Sequence, residues 1–212
     1  MAVINYAEKV INFKLVYYGP GMAGKTANVQ LVHRTLPDAN KGQMISLATG
    51  DDRTIFFDFL PVSAVTVRGF TTRFQLYTVP GQPRYNMTRK LVLRGCDGIV
   101  FVADSQWARM RENVDSFRNL QENLREYEYD LDQMPYVLQF NKRDLSDAAP
   151  RPYLEYLLNR RGRRVSSFEA VARDGPGVFE TLNTISRMVL ANEFGSPDEA
   201  RVASVAADEA RQ

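Results

Sequence analysis

Residues 19–26 read Gly19-Pro20-Gly21-Met22-Ala23-Gly24-Lys25-Thr26. Glycines at these spacings let successive backbone N–H groups curl around a phosphate with no Cβ in the way. A helix starting there adds its positive dipole end. Lys25 supplies a point charge for terminal phosphate oxygens, and the Thr26 hydroxyl can reach a Mg²⁺ ion. The expected phosphate-binding residues are therefore Gly19, Gly21, Met22, Ala23, Gly24, Lys25, Thr26 and Ala27. A second run, Asn141-Lys142-Arg143-Asp144, is suited to reading a purine. The Asp144 carboxylate can accept from the N1–H and the exocyclic amine of guanine. Adenine offers no such pair of donors, and a site left with an unpaired acceptor rejects it. Asn141 can serve the other edge of the base and brace the phosphate loop, and the Lys142 stem can lie along the ring.

Four further residues could sense or act on a terminal phosphate. Thr54, in the loop before the second strand, is the expected second Mg²⁺ ligand, and neighbouring Arg53 could enter the site as an arginine supplied in cis. The bland alternative is a β-forming threonine beside a solvated arginine. The Gly81 N–H is expected to meet the terminal phosphate and Gln82 to orient an attacking water, unless Gln82 before Pro83 is only a turn residue. Strand three ends in Thr78, which carries no charge to offset a cation. Asp58 is the substitute carboxylate expected at the metal, the alternative being a solvent-facing edge position.

Short apolar runs alternating with amphipathic stretches predict an α/β fold with a mostly parallel sheet. Strands are expected over 11–18, 54–60, 70–79, 98–103, 135–140 and 168–171. Too few residues separate the second and third for a crossover helix, so they should form an antiparallel edge pair. Helices are expected over 24–35, 108–127 and 151–159, with a last one opened by Gly175-Pro176-Gly177. In the long helix Met110, Val114, Phe117, Leu120 and Leu124 recur at spacings of 4, 3, 3 and 4. The phosphate loop thus lies between a strand and a helix, and the Asn-Lys-Arg-Asp run at a strand end.

The chain has 212 residues, 44% hydrophobic and 25% charged, which excludes a wholly disordered chain, a collagen or a coiled coil. The net charge of +2 gives no case for nucleic acid. Residues 193–212 carry −3 and the rest +5, so a domain over 1–192 with an acidic, disordered tail is expected. Cys96 is the single cysteine, which fits a cytoplasmic protein and excludes an internal disulfide. No membrane span, signal peptide or lipid-attachment pattern is visible, so no direct membrane anchor is expected. His33 and Cys96 read as structural. Arg160-Arg161-Gly162-Arg163-Arg164 reads as a solvated loop or a seat for an anionic partner. Arg84, Arg89, Lys90 and Arg94 read as either a binding face or a merely polar one.

The phosphate loop, the sensor threonine, Pro80-Gly81-Gln82 and Asn-Lys-x-Asp, in this order, resemble the Ras-like small GTPases. Lys41-Gly42-Gln43-Met44-Ile45-Ser46-Leu47-Ala48-Thr49, Asp52 through Pro61 and Leu76-Tyr77-Thr78-Val79-Pro80-Gly81-Gln82 resemble the bacterial MglA branch, which serves gliding motility and cell polarity. The resemblance covers residues 3–191. It implies a Ras-like P-loop fold with a mostly parallel six-stranded sheet and about five helices. It implies a switch that binds GTP or GDP with Mg²⁺ and hydrolyses GTP slowly without an activator, or alternatively a GTP-bound scaffold with little hydrolysis. Arg53 and Gln82 match catalytic positions, and Thr26 and Thr54 match magnesium positions. Val171 and Ala172 fall where the family's Ser-Ala-Lys backbone touches guanine. The implied partners are a roadblock-domain, MglB-like activating protein and effectors of the GTP state, with the chain monomeric alone and recruited to a cell pole. Departures from the broad family pattern are Thr78 for an Asp, Gly50, Ala27 and Pro83-Arg84.

Overall fold

The computed structural model describes residues 2–48, 55–67, 69–160 and 163–195. The strands are β1 (Val3–Asn5), β2 (Val10–Tyr18), β3 (Ile45–Ala48), β4 (Ile55–Val67), β5 (Phe70–Thr78), β6 (Gly98–Asp104), β7 (Tyr136–Asn141) and β8 (Ser167–Glu169). The helices are α1 (Lys25–Thr35), α2 (Asn86–Leu93), α3 (Met110–Arg125), α4 (Arg151–Leu158) and α5 (Val178–Phe194). The sheet runs β3-β4-β5-β2-β6-β7-β8, with β1 paired to β2. β2 lies parallel to β5 and β6, and β7 and β8 continue the parallel set. β4 is antiparallel to both β3 and β5.

Central strands are buried on both faces, which is why β2 and β6 read as apolar runs. Phe13, Leu15 and Tyr17 of β2 join Val29 and Val32 of α1 and Leu182, Ile185 and Val189 of α5 in one core layer. Val16 and Tyr18 face the other way, onto Leu93, Phe117, Leu120, Leu124 and Leu154 of α2, α3 and α4. The period of two along β2 thus feeds two helix layers, and the ends of β2, β6 and β7 reach the same edge of the sheet as the loops that follow them.

The six expected strands are present, and β1 and β3 bring the sheet to eight. Both additions are short, and their pairing is set by β2 and β4 rather than by periodicity of their own. The second strand does not stop at 60; it runs through Pro61 to Val67. The regular β3–β4 ladder stops at Ile45↔Phe59, and beyond it Pro61 acts only as an acceptor, from the Gly42 N–H. β8 ends at Glu169 rather than 171, because Val171 O accepts from Asp174 and Gly175 N–H and begins a turn. Helix α3 is shorter than 108–127: a 3-10 turn, Trp107–Arg109, precedes it and Glu128 closes it at φ +60°.

Helix α2 was not visible as an apolar pattern because its buried face carries Arg89 beside Val92 and Leu93. Arg89 is therefore not part of a surface basic face. No helix among the described residues is long and apolar enough to cross a membrane.

Candidate functional site

β2 delivers the chain into the phosphate loop, and α1 begins at Lys25. Gly24 caps α1 at φ +101°, and a Cβ there would stand 2.1 Å from the Asn141 amide nitrogen. Only glycine satisfies both the left-handed backbone and this approach. The Lys25 ammonium is almost fully buried and donates to Gly19 O at 2.9 Å and Pro20 O at 2.6 Å. Burial pulls its pKa down to about 7, helped by the nearby Arg89 charge and opposed by Asp58. A buried cation satisfied only by loop carbonyls is the electrostatic complement of a phosphate, so the loop fits that group.

The register Phe59↔Tyr77 sets Asp58 opposite Thr78 across the β4–β5 pair. Asp58 has no exposed surface, so the solvent-facing alternative is excluded. Its Oδ2 accepts from Thr26 Oγ1 at 2.6 Å and Thr78 Oγ1 at 2.9 Å, and its Oδ1 accepts from Ser46 at 2.8 Å. Thr78 Oγ1 in turn accepts from the Asp58 N–H at 2.8 Å. The carboxylate missing from strand β5 thus sits on the adjacent strand, in contact with the hydroxyl expected at the metal. A hydroxyl and a carboxylate are oxygen donors of the kind Mg²⁺ takes, directly or through water. Among the described residues no group of three or more His, Cys, Asp and Glu could hold a metal ion. Thr54 and Arg53 lie outside the described residues.

β5 leads into Gly81, which presses on the phosphate loop: a Cβ on it would lie 2.2 Å from Gly21 N. The Gln82 side chain is exposed beside this contact. Its carbonyl, with those of Pro80 and Pro83, accepts from the Arg89 guanidinium, which also donates to Asn86 and Asn119. A charge buried in this way is tolerated only because every face of it finds an acceptor.

At the other end of the site β7 stops at Asn141. Its side-chain nitrogen donates to Ala23 O at 2.8 Å, and its oxygen accepts from Ala172 N at 2.9 Å. The base-reading run is thereby fastened to the phosphate loop. Val171 N donates to Pro176 O, so the amides of both Val171 and Ala172 are engaged within the protein. Lys142 adopts φ +66° and its ammonium pairs with Asp104 at 2.6 Å. Asp144 is about a quarter exposed and lies 3.5 Å from Arg173.

Asp104 was missed in the sequence, its only trace being a charged residue closing the apolar run of β6. Arg89 was read with Arg84, Lys90 and Arg94 as a binding or merely polar face, and nothing local marks its burial. Buried Asn28 and Gln139, hydrogen-bonded at 2.8 and 2.9 Å under α1, were missed as well.

The family model that matches the chain is the Ras family, over residues 14–191. The chain is 52% identical over 190 residues to mutual gliding-motility protein MglA of Myxococcus xanthus, covering 90% of this chain and 96% of that protein. It is 28% identical over 198 residues to the Ypt/Rab-type GTPase ypt71 of Schizosaccharomyces pombe, covering 91% of this chain and 88% of that one.

Proposed function

Because the chain belongs to the Ras family, we propose that it is a GTP-binding and GTP-hydrolysing switch whose states select different partners. The observation that carries this reading is the hydrogen bond from Asn141 to Ala23, which joins a guanine-reading run to a phosphate loop in one site. Lys25 and the loop amides would hold the β and γ phosphates, and Asp144 would read the base. Mg²⁺, when bound, would neutralise charge on the phosphate oxygens. Thr26 and Thr54 would ligate it, with Asp58 replacing the charge that Thr78 lacks. Gln82 would orient the attacking water, and Arg53 would offset charge that develops in the transition state.

The identity to mutual gliding-motility protein MglA supports a role in gliding or pilus-driven motility and cell polarity. In that reading the chain works in the cytoplasm, is recruited to a pole, meets a roadblock-domain activating protein, and turns over slowly without it. A GTP-bound scaffold with little hydrolysis is the second reading. It is favoured by Pro83 opening a 3-10 turn and by the grip of Arg89 on the backbone at Gln82. Identification of the nucleotide released on denaturation tests the first claim: guanine nucleotide is expected, and adenine nucleotide would overturn it. Turnover measured with and without a roadblock partner separates switch from scaffold.

A further inference from the structure

The Asp104 carboxylate is 1% exposed and sits between the two halves of the site. Its backbone is clamped by Asn113, which accepts from Asp104 N at 2.9 Å and donates to Asp104 O at 2.8 Å. Its Oδ1 accepts from Gln106 N at 3.1 Å. The carboxylate therefore has a fixed position, and two cations approach its Oδ2. Lys142 Nζ, from the base-reading run, is at 2.6 Å. Arg109 Nε, just before α3, is at 3.9 Å.

Each nitrogen of the Arg109 guanidinium faces an oxygen. Its Nη1 meets Glu112 at 3.0 Å, its Nε faces Asp104, and its Nη2 donates to Gly21 O at 2.9 Å. Two cations and two carboxylates balance, and only the Asp104 carboxylate is fully buried, the other three groups being partly exposed. Ion pairs of this kind contribute little to stability, so their consequence is geometric. Gly21 is also where Gly81, in the turn after β5, presses on the phosphate loop.

We infer that Asp104 and Arg109 are positioning residues that couple guanine reading to the phosphate loop. The path runs Lys142–Asp104–Arg109–Gly21, separate from the Asn141–Ala23 bond. Neither residue is assigned to touch the nucleotide; each acts through another. A displaced Lys142 shifts the run that carries Asp144, and a displaced Arg109 frees the Gly21 carbonyl. This inference rests on the guanine-nucleotide reading above, and the wild-type protein tests that reading first: it must bind GDP more tightly than inosine diphosphate, which lacks the exocyclic amine.

The test is the ratio of GDP to inosine diphosphate affinity, with release of a ribose-labelled fluorescent GDP measured in parallel. Arg109→Gln lies on the phosphate side and is part-exposed, so it is the informative variant. It is expected to lower the base ratio at least about threefold although Arg109 is not placed against the base. Asp104→Asn, nearly isosteric, is expected to lower the ratio and speed GDP release by about 10- to 100-fold, the range for losing a charged hydrogen bond. In the double variant the Arg109 change is expected to add less than about twofold, because the path is already broken. A wild-type ratio in Arg109→Gln overturns the coupling, as do effects that multiply in the double variant. If Asp104→Asn does not fold by circular dichroism, the Arg109→Gln ratio alone decides. A wild-type protein with no preference for GDP removes the underlying reading instead.

Discussion

The phosphate end and the base end of the site are held by different kinds of contact. At the phosphate end the loop closes on itself: Lys25 bonds to carbonyls five and six residues away. At the base end the braces span the chain. Asn141 reaches Ala23 across 118 residues, and Lys142 reaches Asp104 across 38. The metal corner lies between these cases, with Thr26 and Asp58 separated by 32 residues. A local contact imposes a fixed spacing of residue types. A distant one leaves at least one partner, such as Asp104, at an unmarked position.

That contrast can be broken at either end. The largest effect is expected at the phosphate end, in the chemical step. Arg53→Ala and Gln82→Ala should each lose hydrolysis while keeping GTP affinity, since both act on the transition state and not on the ground state. An arginine supplied to the transferring phosphoryl group is worth about 10³–10⁵ in rate. Single-turnover rates with the activating partner present check this, and unchanged turnover in Arg53→Ala returns that residue to a solvated role.

Next in size is the base end. GTP should be preferred over ATP by about 10³ or more, and Asp144→Ala should reduce the preference to near unity. Competition binding with both nucleotides measures it. Comparable affinities in the unmutated protein would end the GTPase reading.

A smaller change is expected at the metal corner. Asp58→Asn keeps the shape of the side chain and removes its charge, so Mg²⁺-dependent retention of nucleotide should weaken by about tenfold. Release rates of the two proteins should converge when Mg²⁺ is chelated. Identical rates across a magnesium titration would leave Thr26 and Thr54 to hold the ion without a carboxylate.

The smallest effect lies away from both ends. Cys96 is buried, and desolvation pushes its thiol up to about 12, so it stays protonated through neutral and mildly alkaline pH. Thiolate is the reactive form, and its fraction should rise only as pH approaches that value. Alkylation by iodoacetamide at pH 8 is expected to be negligible in the native protein and complete after unfolding. Rapid labelling of the native state would show that the loop opens.

How far the site could be read ahead of the structure follows the same division. Gly24 was legible because glycines at fixed spacing before Lys25-Thr26 mark a phosphate loop, and the structure added its left-handed backbone and the close approach of Asn141. Asp58 was legible as a candidate because a charged residue in an apolar strand demands a partner, but its partner required the β4–β5 register. Helix α2 was not legible, since Arg89 interrupts its apolar face and its five hydrogen-bond acceptors come from three separate segments. β4 beyond Pro61 was hidden for another reason: proline reads as a strand breaker, and only the register shows that it falls just past the end of the β3–β4 ladder, where it acts as an acceptor alone.

By itself the chain specified an alternating α/β order, a glycine-rich loop between β2 and α1, and an Asn-Lys-Arg-Asp run at the end of β7, because backbone conformation and hydrophobic period act over a few residues. Only the tertiary structure decided that Asp58 stands opposite Thr78 and that Arg89 is buried against the carbonyls of Pro80, Gln82 and Pro83. It alone joined Lys142 and Arg109 through one carboxylate. These depend on strand register and helix docking, which are fixed by the summed burial of two core layers and leave no local mark at the residues they bring together.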